Sequence, residues 1–248
     1  MSFDRAPVRE RFFVLRRTPL GESDDLIVGL GWESGRFSAV VKGSRKPRSR
    51  MSGLLEPPVE LHGALRPGPT LDGLSQLQLC RAFAGLRQSL EALLTAGFLA
   101  RLFLEALPER SPIEGVYALY SELHERLIDG HAPVAMVALL AQSRLLQELG
   151  LEPELEGCLI CGSEAVRGYS PRDGGLLCAN CYAGSGFALS SAGLLALREL
   201  REVGPDDTLS AFEVAVVREL GRVFKGQLQQ HAGLSNRVFR PVLPKGRS

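Results

Sequence analysis

Four cysteines in two closely spaced pairs place the strongest constraint on how this chain can fold. Two residues separate Cys158 from Cys161, two separate Cys178 from Cys181, and 16 lie between the pairs. Two CxxC pairs at this separation match the four-cysteine template of structural zinc sites. Two thiolates three positions apart can turn onto one ion, and the intervening segment "GYSPRDGGLL" can form a hairpin that returns the second pair. The sequence therefore predicts a zinc-finger module over residues 156–186 that holds one structural zinc ion.

Two other uses of these cysteines are weighed against zinc. Two disulfides are disfavoured in a cytosolic protein, and four unconnected core thiols have no reason to share this spacing. A catalytic zinc is disfavoured as well, because four protein thiolates leave no coordination position for water. Cys80 lies outside the pattern in an apolar stretch, and we expect it to be a buried packing residue.

The first 79 residues have the pattern of a small β domain. Short segments rich in Val, Leu and Phe alternate with turn-forming Gly, Pro, Ser and Asp residues, a pattern that predicts strands. The predicted strands are residues 11–15, 25–30, 36–43, 59–65 and 75–79. Five strands in so short a segment favour a closed barrel, because closure removes exposed sheet edges. A five-stranded OB-type barrel is the first candidate, and an SH3-like barrel has similar size and strand spacing.

At Cys80 the apolar residues change to helical spacing. Further helical patterns cover residues 115–130 and 132–150 and each ends at a glycine, as helices commonly do. Helical patterns resume after the cysteines, and Ser210 with Glu213 resembles a capping box at the start of the last one. We therefore expect a multidomain α+β protein, divided into a barrel (1–79), a helical domain in two parts (80–155 and 187–248) and the inserted zinc finger (156–186).

Charge is distributed unevenly along a chain whose net charge is only +1. The net charge is +3 over residues 1–79, −8 over residues 80–220 and +6 over residues 221–248. Salt screens exposed charges beyond about 8 Å at physiological ionic strength, so each block acts locally. The basic tail is either a frayed, solvated terminus or a contributor to binding.

The densest basic segment is the stretch "KGSRKPRSR", residues 42–50, which we call the basic loop. It follows the third predicted strand and contains five cations and no acid: Lys42, Arg45, Lys46, Arg48 and Arg50. Crowded like charges repel one another, so a polyanionic partner explains them better than a structural role, although a solvated loop without a partner is the alternative. OB barrels often bind single strands with a basic groove and aromatic platforms. We therefore predict that these cations and Arg36 bind DNA, with Trp32 and Phe37 as candidate base-stacking residues. Phe12 and Phe13 are also considered. Because side chains of a strand point alternately to its two faces, some of these aromatic residues must lie in the barrel core.

Motifs of catalysis and membrane insertion are lacking in the sequence. It contains no GKS/T phosphate loop, GxSxG, HExxH or GxGxxG after a strand, and its four histidines do not cluster. We therefore expect no enzymatic activity. No apolar run reaches 18 residues, and the first residues carry acids without an apolar core, so the expected location is the cytoplasm.

Two segments resemble one known family. The stretch "VVKGSRKPRSRMSGLLEP" resembles the basic signature in the first domain of the bacterial recombination mediator RecO, and "GLEPELEGCLICG" followed by "YSPRDGGLLCANC" resembles its zinc module. The resemblance implies an N-terminal OB domain, a helical domain with a zinc finger, and binding of single- and double-stranded DNA with annealing of complementary strands. It also implies association with the nucleoid and work with RecR to place RecA on DNA coated by single-stranded DNA-binding protein, whose acidic tail is a further partner. The matching positions are the five cations of the basic loop for DNA and the four cysteines for zinc.

Two functions of other classes stay open at this point. One is a zinc-dependent enzyme that acts on nucleic acid, which would need an open coordination position. The other is a zinc-containing protein-interaction scaffold, in which the acidic helical part binds partners and nucleic-acid binding is incidental.

Overall fold

The structure is a computed structural model that describes residues 6–49, 51–68, 70–182 and 186–240. By its internal contacts the chain divides into two units, Met1–Tyr117 and Ala118–Ser248. This division does not test the domain bounds expected from the sequence, which remain predictions. Along the described segments, no helix combines the length and the apolar character needed to cross a membrane.

The first unit contains a closed five-stranded barrel. Its strands are β1 (Val8–Leu20), β2 (Asp24–Gly31), β3 (Gly35–Val41), β4 (Glu60–Arg66) and β5 (Asp72–Arg81), in the closed order β1-β2-β3-β5-β4. All neighbours are antiparallel except β3 and β5, which close the barrel as a parallel pair. Five strands in this order form the OB-type barrel that the sequence predicts, and each predicted strand lies within or largely within an observed one.

A bend in β1 allows one strand to serve two neighbours. Residues 8–13 pair with β4 and residues 12–20 pair with β2, and a register shift between Val14 and Arg16 interrupts the pairing with β2. Extra residues of this kind bend a strand and increase its twist, which is how a short barrel closes. Phe12 and Val14 point into the barrel, whereas Phe13 on the opposite face contacts Phe83 and Tyr117.

The barrel core is apolar and tightly packed. Phe12 and Phe37 meet edge to face with ring centroids 5.4 Å apart. A Cβ atom at Gly29 would lie 2.6 Å from the Phe37 ring, so this approach requires glycine. The other buried members are Val14, Ile27, Ala39, Val41, Leu55, Val59, Leu61, Leu65 and Leu74.

One helix belongs to the barrel unit. Helix α1 (Leu90–Ala106) begins after Ser89, whose side chain accepts a hydrogen bond from the Ala92 backbone N–H at 3.2 Å. This is an ordinary N-cap, and α1 then packs on β1. The helical pattern that begins at Cys80 in the sequence was therefore misplaced at its start, because β5 continues to Arg81 and a 3-10 helix (Ala84–Gln88) intervenes. Cys80 lies exposed near the end of β5, so the expectation of a buried packing residue is wrong.

The second unit combines helices with a small sheet. Helix α2 (Val116–Asp129) begins at its edge, followed by α3 (Val134–Glu148), α4 (Ser191–Glu202) and α5 (Val214–His231). Helices α3, α4 and α5 pack on one another. Between α3 and α4 lies a three-stranded sheet in the order β7-β6-β8, made of β6 (Val166–Ser170), β7 (Gly175–Cys178) and β8 (Phe187–Ala188). The capping box predicted at Ser210 is wrong: α5 begins after Glu213, which makes no side-chain cap hydrogen bond.

Candidate nucleic-acid interface and metal centre

The basic loop leaves the barrel at the end of β3. Its described cations, Lys42, Arg45, Lys46 and Arg48, all have exposed side chains, whereas Arg50 lies outside the described residues. Within the described segments, none of these four cations forms an ion pair with a carboxylate. The nearest acids act on them only at longer range: Lys42 and Lys46 help to lower the pKa of Asp24, and Arg45 helps to lower that of Asp25.

Two adjacent aspartates hold the backbone of the basic loop. The Asp24 carboxylate accepts the Gly43 backbone N–H at 2.8 Å, and this hydrogen bond, followed by one from Ser23, lowers the pKa of Asp24. The buried Ser44 hydroxyl donates to Asp25 Oδ2 at 2.7 Å. Burial raises the pKa of Asp25, but hydrogen bonds from Arg17 and Ser44 outweigh burial, so the net shift is downward. Both acids thus stay ionised at neutral pH and fix the start of the loop.

Arg45 is held in place by backbone groups of the β1–β2 turn. Its backbone N–H donates to Ser23 O at 2.9 Å, and its Nη1 donates to Gly21 O at 2.8 Å. Carbonyl acceptors orient the guanidinium without removing its positive charge. A cation positioned in this way needs little reorganisation to meet a phosphate.

An open groove of about 520 Å³ lies beside the loop. Arg16, Arg17 and Arg45 contribute to its wall. Arg17 is paired with Asp25 and Glu56, whereas Arg16 is exposed. Sequence reasoning missed Arg16 because it lies in β1, far from the loop in sequence; the only signal was the doublet "RR" at positions 16 and 17.

The three remaining predicted DNA contacts have different surroundings. Arg36 is half-buried and its Nε donates to Leu107 O at 2.7 Å, which ties it to the unit's own backbone. Phe37 is fully buried in the barrel core, so its ring has no face open to a base and the stacking prediction is wrong at this position. Trp32 is 61% exposed, with its ring 5.3 Å from that of Tyr117.

The four predicted metal ligands come together in the second unit. The Sγ atoms of Cys158, Cys161, Cys178 and Cys181 all lie within 4.8 Å of one another, and those of Cys161 and Cys178 are 3.6 Å apart. A tetrahedral ion with metal–sulfur bonds of about 2.3 Å would separate its sulfur ligands by about 3.8 Å. The four thiols thus fit a single tetrahedral metal ion.

The backbone around the cysteines favours thiolates at the first position of each pair. Hydrogen bonds from backbone groups of Cys178, and then of Cys161 and Ile160, lower the pKa of Cys158 to about 6. Backbone groups of Cys181 and then Asn180 likewise lower the pKa of Cys178. A backbone turn closes each CxxC segment, or knuckle: the Gly162 N–H donates to the Cys158 carbonyl oxygen, and the Tyr182 N–H donates to the Cys178 carbonyl oxygen. A backbone hydrogen bond from Ser163 lowers the pKa of Cys161, but those with Cys178 and Cys158 raise it on balance, and a hydrogen bond with Cys178 followed by burial raises the pKa of Cys181. Each knuckle thus favours the thiolate at its first cysteine, and thiolates are the ligands that a soft or borderline metal ion requires.

Comparison with known proteins identifies relatives over most of the chain. The family model described as recombination protein O N terminal matches residues 5–83, and the model described as recombination protein O C terminal matches residues 87–238. A protein named DNA repair protein RecO from Exiguobacterium sibiricum is 36% identical over 66% of this chain and 66% of its own length. Proteins of the same name from Anaeromyxobacter sp. (strain K) and Heliobacterium modesticaldum are 33% and 32% identical; the alignments cover 77% and 97% of this chain, and 78% and 90% of the relatives.

Proposed function

Because this chain belongs to the RecO family of DNA repair proteins, we propose that it binds single- and double-stranded DNA without sequence specificity and anneals complementary strands. The observation that carries the proposal is the basic loop, whose four described cations are exposed and have no carboxylate partner among the described residues. Contacts to phosphates release counterions and carry no base code, so they give affinity without sequence preference. Neutralised strands also repel each other less, which favours their pairing, and no step requires bond-breaking chemistry.

An annealing assay tests this proposal. Fluorescent complementary oligonucleotides are mixed with the wild-type protein, a loop variant and a control variant, and the rate of pairing and the affinity for each strand are measured. The loop variant carries Lys42→Gln, Arg45→Gln, Lys46→Gln and Arg48→Gln. The control variant removes the same number of charges from exposed arginines outside both basic segments, by Arg87→Gln, Arg167→Gln, Arg172→Gln and Arg218→Gln.

Comparison of the two variants shows whether binding depends on the loop cations or only on the total charge of the protein. We expect the loop variant to lose at least about tenfold in affinity and to anneal correspondingly more slowly, because four phosphate contacts disappear. The control variant should lose much less. Equal losses in the two variants would rule out the loop as the binding element, and an unchanged loop variant would contradict the proposal.

For the four cysteines we propose one structural zinc ion. Four thiolates in a tetrahedral arrangement suit zinc and fill its coordination shell, so the ion supplies folding energy to a module with little core of its own. Metal analysis of the purified protein should give one zinc ion per chain, and Cys178→Ser should lose it. Cys80→Ser, which changes an exposed cysteine outside the cluster, is the matched control and should keep the zinc.

We further propose that the protein acts with RecR to place RecA on DNA coated by single-stranded DNA-binding protein. Family membership supports this role, which combines DNA contact with protein partners. Formation of RecA filaments on coated single strands, with and without this protein and RecR, measures it. If the two proteins together gave no faster filament formation than RecR alone, the mediator role would be excluded.

A further inference from the structure

A second group of polar and aromatic side chains lies on the outer face of the barrel, and apart from the stacking predicted for Trp32 nothing above assigns it a role. Arg11 in β1 lies opposite His62 in β4, and His62 lies opposite Gln78 in β5. The Trp32 backbone N–H donates to Arg11 O at 2.9 Å, which places Trp32 beside Arg11 on the other side of β1. Residues opposite each other on neighbouring strands share a face of the sheet. We call Arg11, Trp32, His62, Gln78 and the nearby Arg81 the outer patch.

Two arginines of the outer patch are held by one buried carboxylate. Glu60 is fully buried, and it accepts hydrogen bonds from Arg11 Nε, from Arg81 Nε and from the Tyr117 hydroxyl at 2.7 Å. Both guanidiniums reach the surface, where the Arg11 and Arg81 side chains are 54% and 36% exposed, and that of Arg81 also lies over the Phe83 ring at 5.1 Å.

The Arg11 guanidinium keeps donors for a ligand. A guanidinium has five N–H donors in a fixed fork. Among the contacts of the described residues, Arg11 uses Nε for Glu60, so its terminal amino groups retain donors that can meet an external anion. Carboxylate and phosphate oxygens are the acceptors that match this fork best.

Trp32 adds an aromatic surface next to Arg11. The Tyr117 ring meets the indole edge to face, at a centroid distance of 5.3 Å and an interplanar angle of 83°, so it supports Trp32 without covering it as a stacked ring would. The same Tyr117 is fixed through its hydroxyl to Glu60. One buried carboxylate thus positions both the cations and the support of the exposed ring.

The outer patch is separate from the basic loop. Near one end of β2, Asp25 lies opposite Val41, where the loop begins. At the other end, Gly31 lies opposite Gly35 and next to Trp32. Six residues at about 3.3 Å per residue place the two ends about 20 Å apart. A ligand that touches both would have to be an extended polyanion with aromatic groups.

We propose that the outer patch is a second contact site for single-stranded DNA, in which Arg11 binds a phosphate and Trp32 stacks on a base. This inference rests on the DNA binding proposed above and adds a contact to it. A network that only fastened Tyr117 to the barrel would explain the buried carboxylate. It would not explain an exposed indole beside the partly exposed Arg11 guanidinium, which is the combination that single-strand binding surfaces use.

The intrinsic fluorescence of the protein gives a direct test, because Trp32 is the only tryptophan in the chain. The wild-type protein is titrated with an oligo-dT strand and with an abasic strand of the same length, and binding is followed in parallel by the anisotropy of a labelled strand. We expect oligo-dT to quench Trp32 emission in proportion to binding. The abasic strand, which keeps the phosphates but lacks bases, should bind and leave the emission nearly unchanged.

Variants test the affinity of the site. Trp32→Leu keeps apolar bulk without an aromatic face and should weaken oligo-dT binding by roughly tenfold, since stacking on one base contributes about 1–3 kcal/mol. It should weaken binding of the abasic strand much less. Arg11→Gln should weaken binding of both strands, whereas Arg87→Gln, which removes one exposed charge from the 3-10 helix, should have little effect.

The outcomes distinguish this inference from the proposed function. If oligo-dT bound by anisotropy while Trp32 emission stayed constant at saturation, the outer patch would be refuted and the basic loop would stand. Equal quenching by the abasic strand would also refute base stacking at Trp32. Absence of any binding by anisotropy would overturn both proposals. The fluorescence titration uses the unaltered protein, so its result does not depend on whether a variant folds.

Discussion

At the scale of single residues, the barrel unit depends on a buried carboxylate that is satisfied from three sides. Burial raises the pKa of Glu60, but the hydrogen bonds from Arg11, Arg81 and Tyr117 outweigh it and the net shift is downward. The same environment raises the pKa of Tyr117 through burial first and then through its hydrogen bond to Glu60, so the phenol stays protonated as the donor. Sequence reasoning did not single out this network, because its members lie at positions 11, 60, 81 and 117 and no local motif connects them.

We predict that Glu60→Gln destabilises the barrel unit by about 3 kcal/mol at pH 7. Removal of one partner from a buried ion pair costs about 3–5 kcal/mol, and the lower end applies because both guanidiniums remain partly hydrated. Chemical denaturation of the variant measures the loss. Glu56→Gln, at an exposed carboxylate paired with Arg17, is the control and should cost less than about 1 kcal/mol.

The Glu60 effect should also depend on pH in one direction. A carboxylate whose folded pKa lies below its unfolded value stabilises the protein above the unfolded pKa, which is about 4.3 for glutamate. That contribution disappears as the pH falls through the folded pKa, because the wild-type side chain then becomes neutral like glutamine. The stability difference between wild type and Glu60→Gln should therefore shrink below about pH 4. A difference that stayed constant from pH 7 to pH 3 would show that the charge of Glu60 is not what stabilises the unit.

At the scale of elements, the hydrophobic pattern predicted most strands and missed where one element passes into the next. The five strands are confirmed because alternating apolar residues must face a closed core. The same alternation explains Phe37, because Ala39 and Val41, two and four residues further along β3, also face the barrel core. The start of α1 was misplaced because Phe83 and Leu86 are buried at helical spacing, yet they belong to the segment before the helix. Spacing alone does not distinguish these cases.

The four-cysteine cluster could be predicted more completely than the basic surface. A metal template fixes both the ligands and their spacing, so two CxxC pairs specify a local geometry without tertiary information. A DNA-binding surface has no such constraint: Arg16 reaches the groove, and Arg11 reaches the outer patch, only because strand pairing brings distant positions together. The predicted contacts on the loop itself remain predictions.

For the basic loop, we predict that Ser44→Ala loosens its backbone. The Ser44 hydroxyl is buried and donates to Asp25, and loss of such a hydrogen bond costs about 1–3 kcal/mol because the acceptor stays buried. Hydrogen exchange of residues 42–49 should accelerate, and affinity for single strands should fall without the removal of any charge. Ser38→Ala, at a half-buried serine in β3, is the control; similar exchange in the two variants would contradict this role of Ser44.

For the cysteine module, we predict that metal removal unfolds residues 156–182 locally. The buried residues around the sulfurs are Leu177, Cys158 and Cys178, which is too small a core to hold the knuckles without an ion. Tyr169 and Leu176 are also fully buried, but they belong to the sheet behind the knuckles. A chelator, or Cys178→Ser, should increase hydrogen exchange there, and Cys80→Ser should not. Unchanged protection in the metal-free protein would mean that the module folds without an ion.

At the scale of the whole molecule, the overall charge is a poor guide to what the chain binds. A net charge of +1 suggests no affinity for a polyanion, yet the basic loop alone carries five cations within nine residues. The acidic excess lies between residues 80 and 220, and all of it falls in the part that belongs to the second unit, whereas the loop belongs to the first. Because salt limits the reach of exposed charges to about 8 Å, binding should follow the charge of the loop rather than the sum over the chain.

The salt dependence of DNA binding decides between local and overall charge. If about five loop cations contact phosphates, the logarithm of the affinity for a single strand should fall with the logarithm of salt concentration with a slope of about −3 to −4. A nearly neutral particle that bound DNA through its overall charge would give a slope close to zero. Affinities measured across a salt series for wild type and for the Lys42/Arg45/Lys46/Arg48→Gln variant provide the slopes. The variant should lose most of the slope, since each phosphate contact contributes about −0.7 on a single strand. A wild-type slope near zero, or a variant slope as steep as that of the wild type, would place the electrostatic contact somewhere other than the loop.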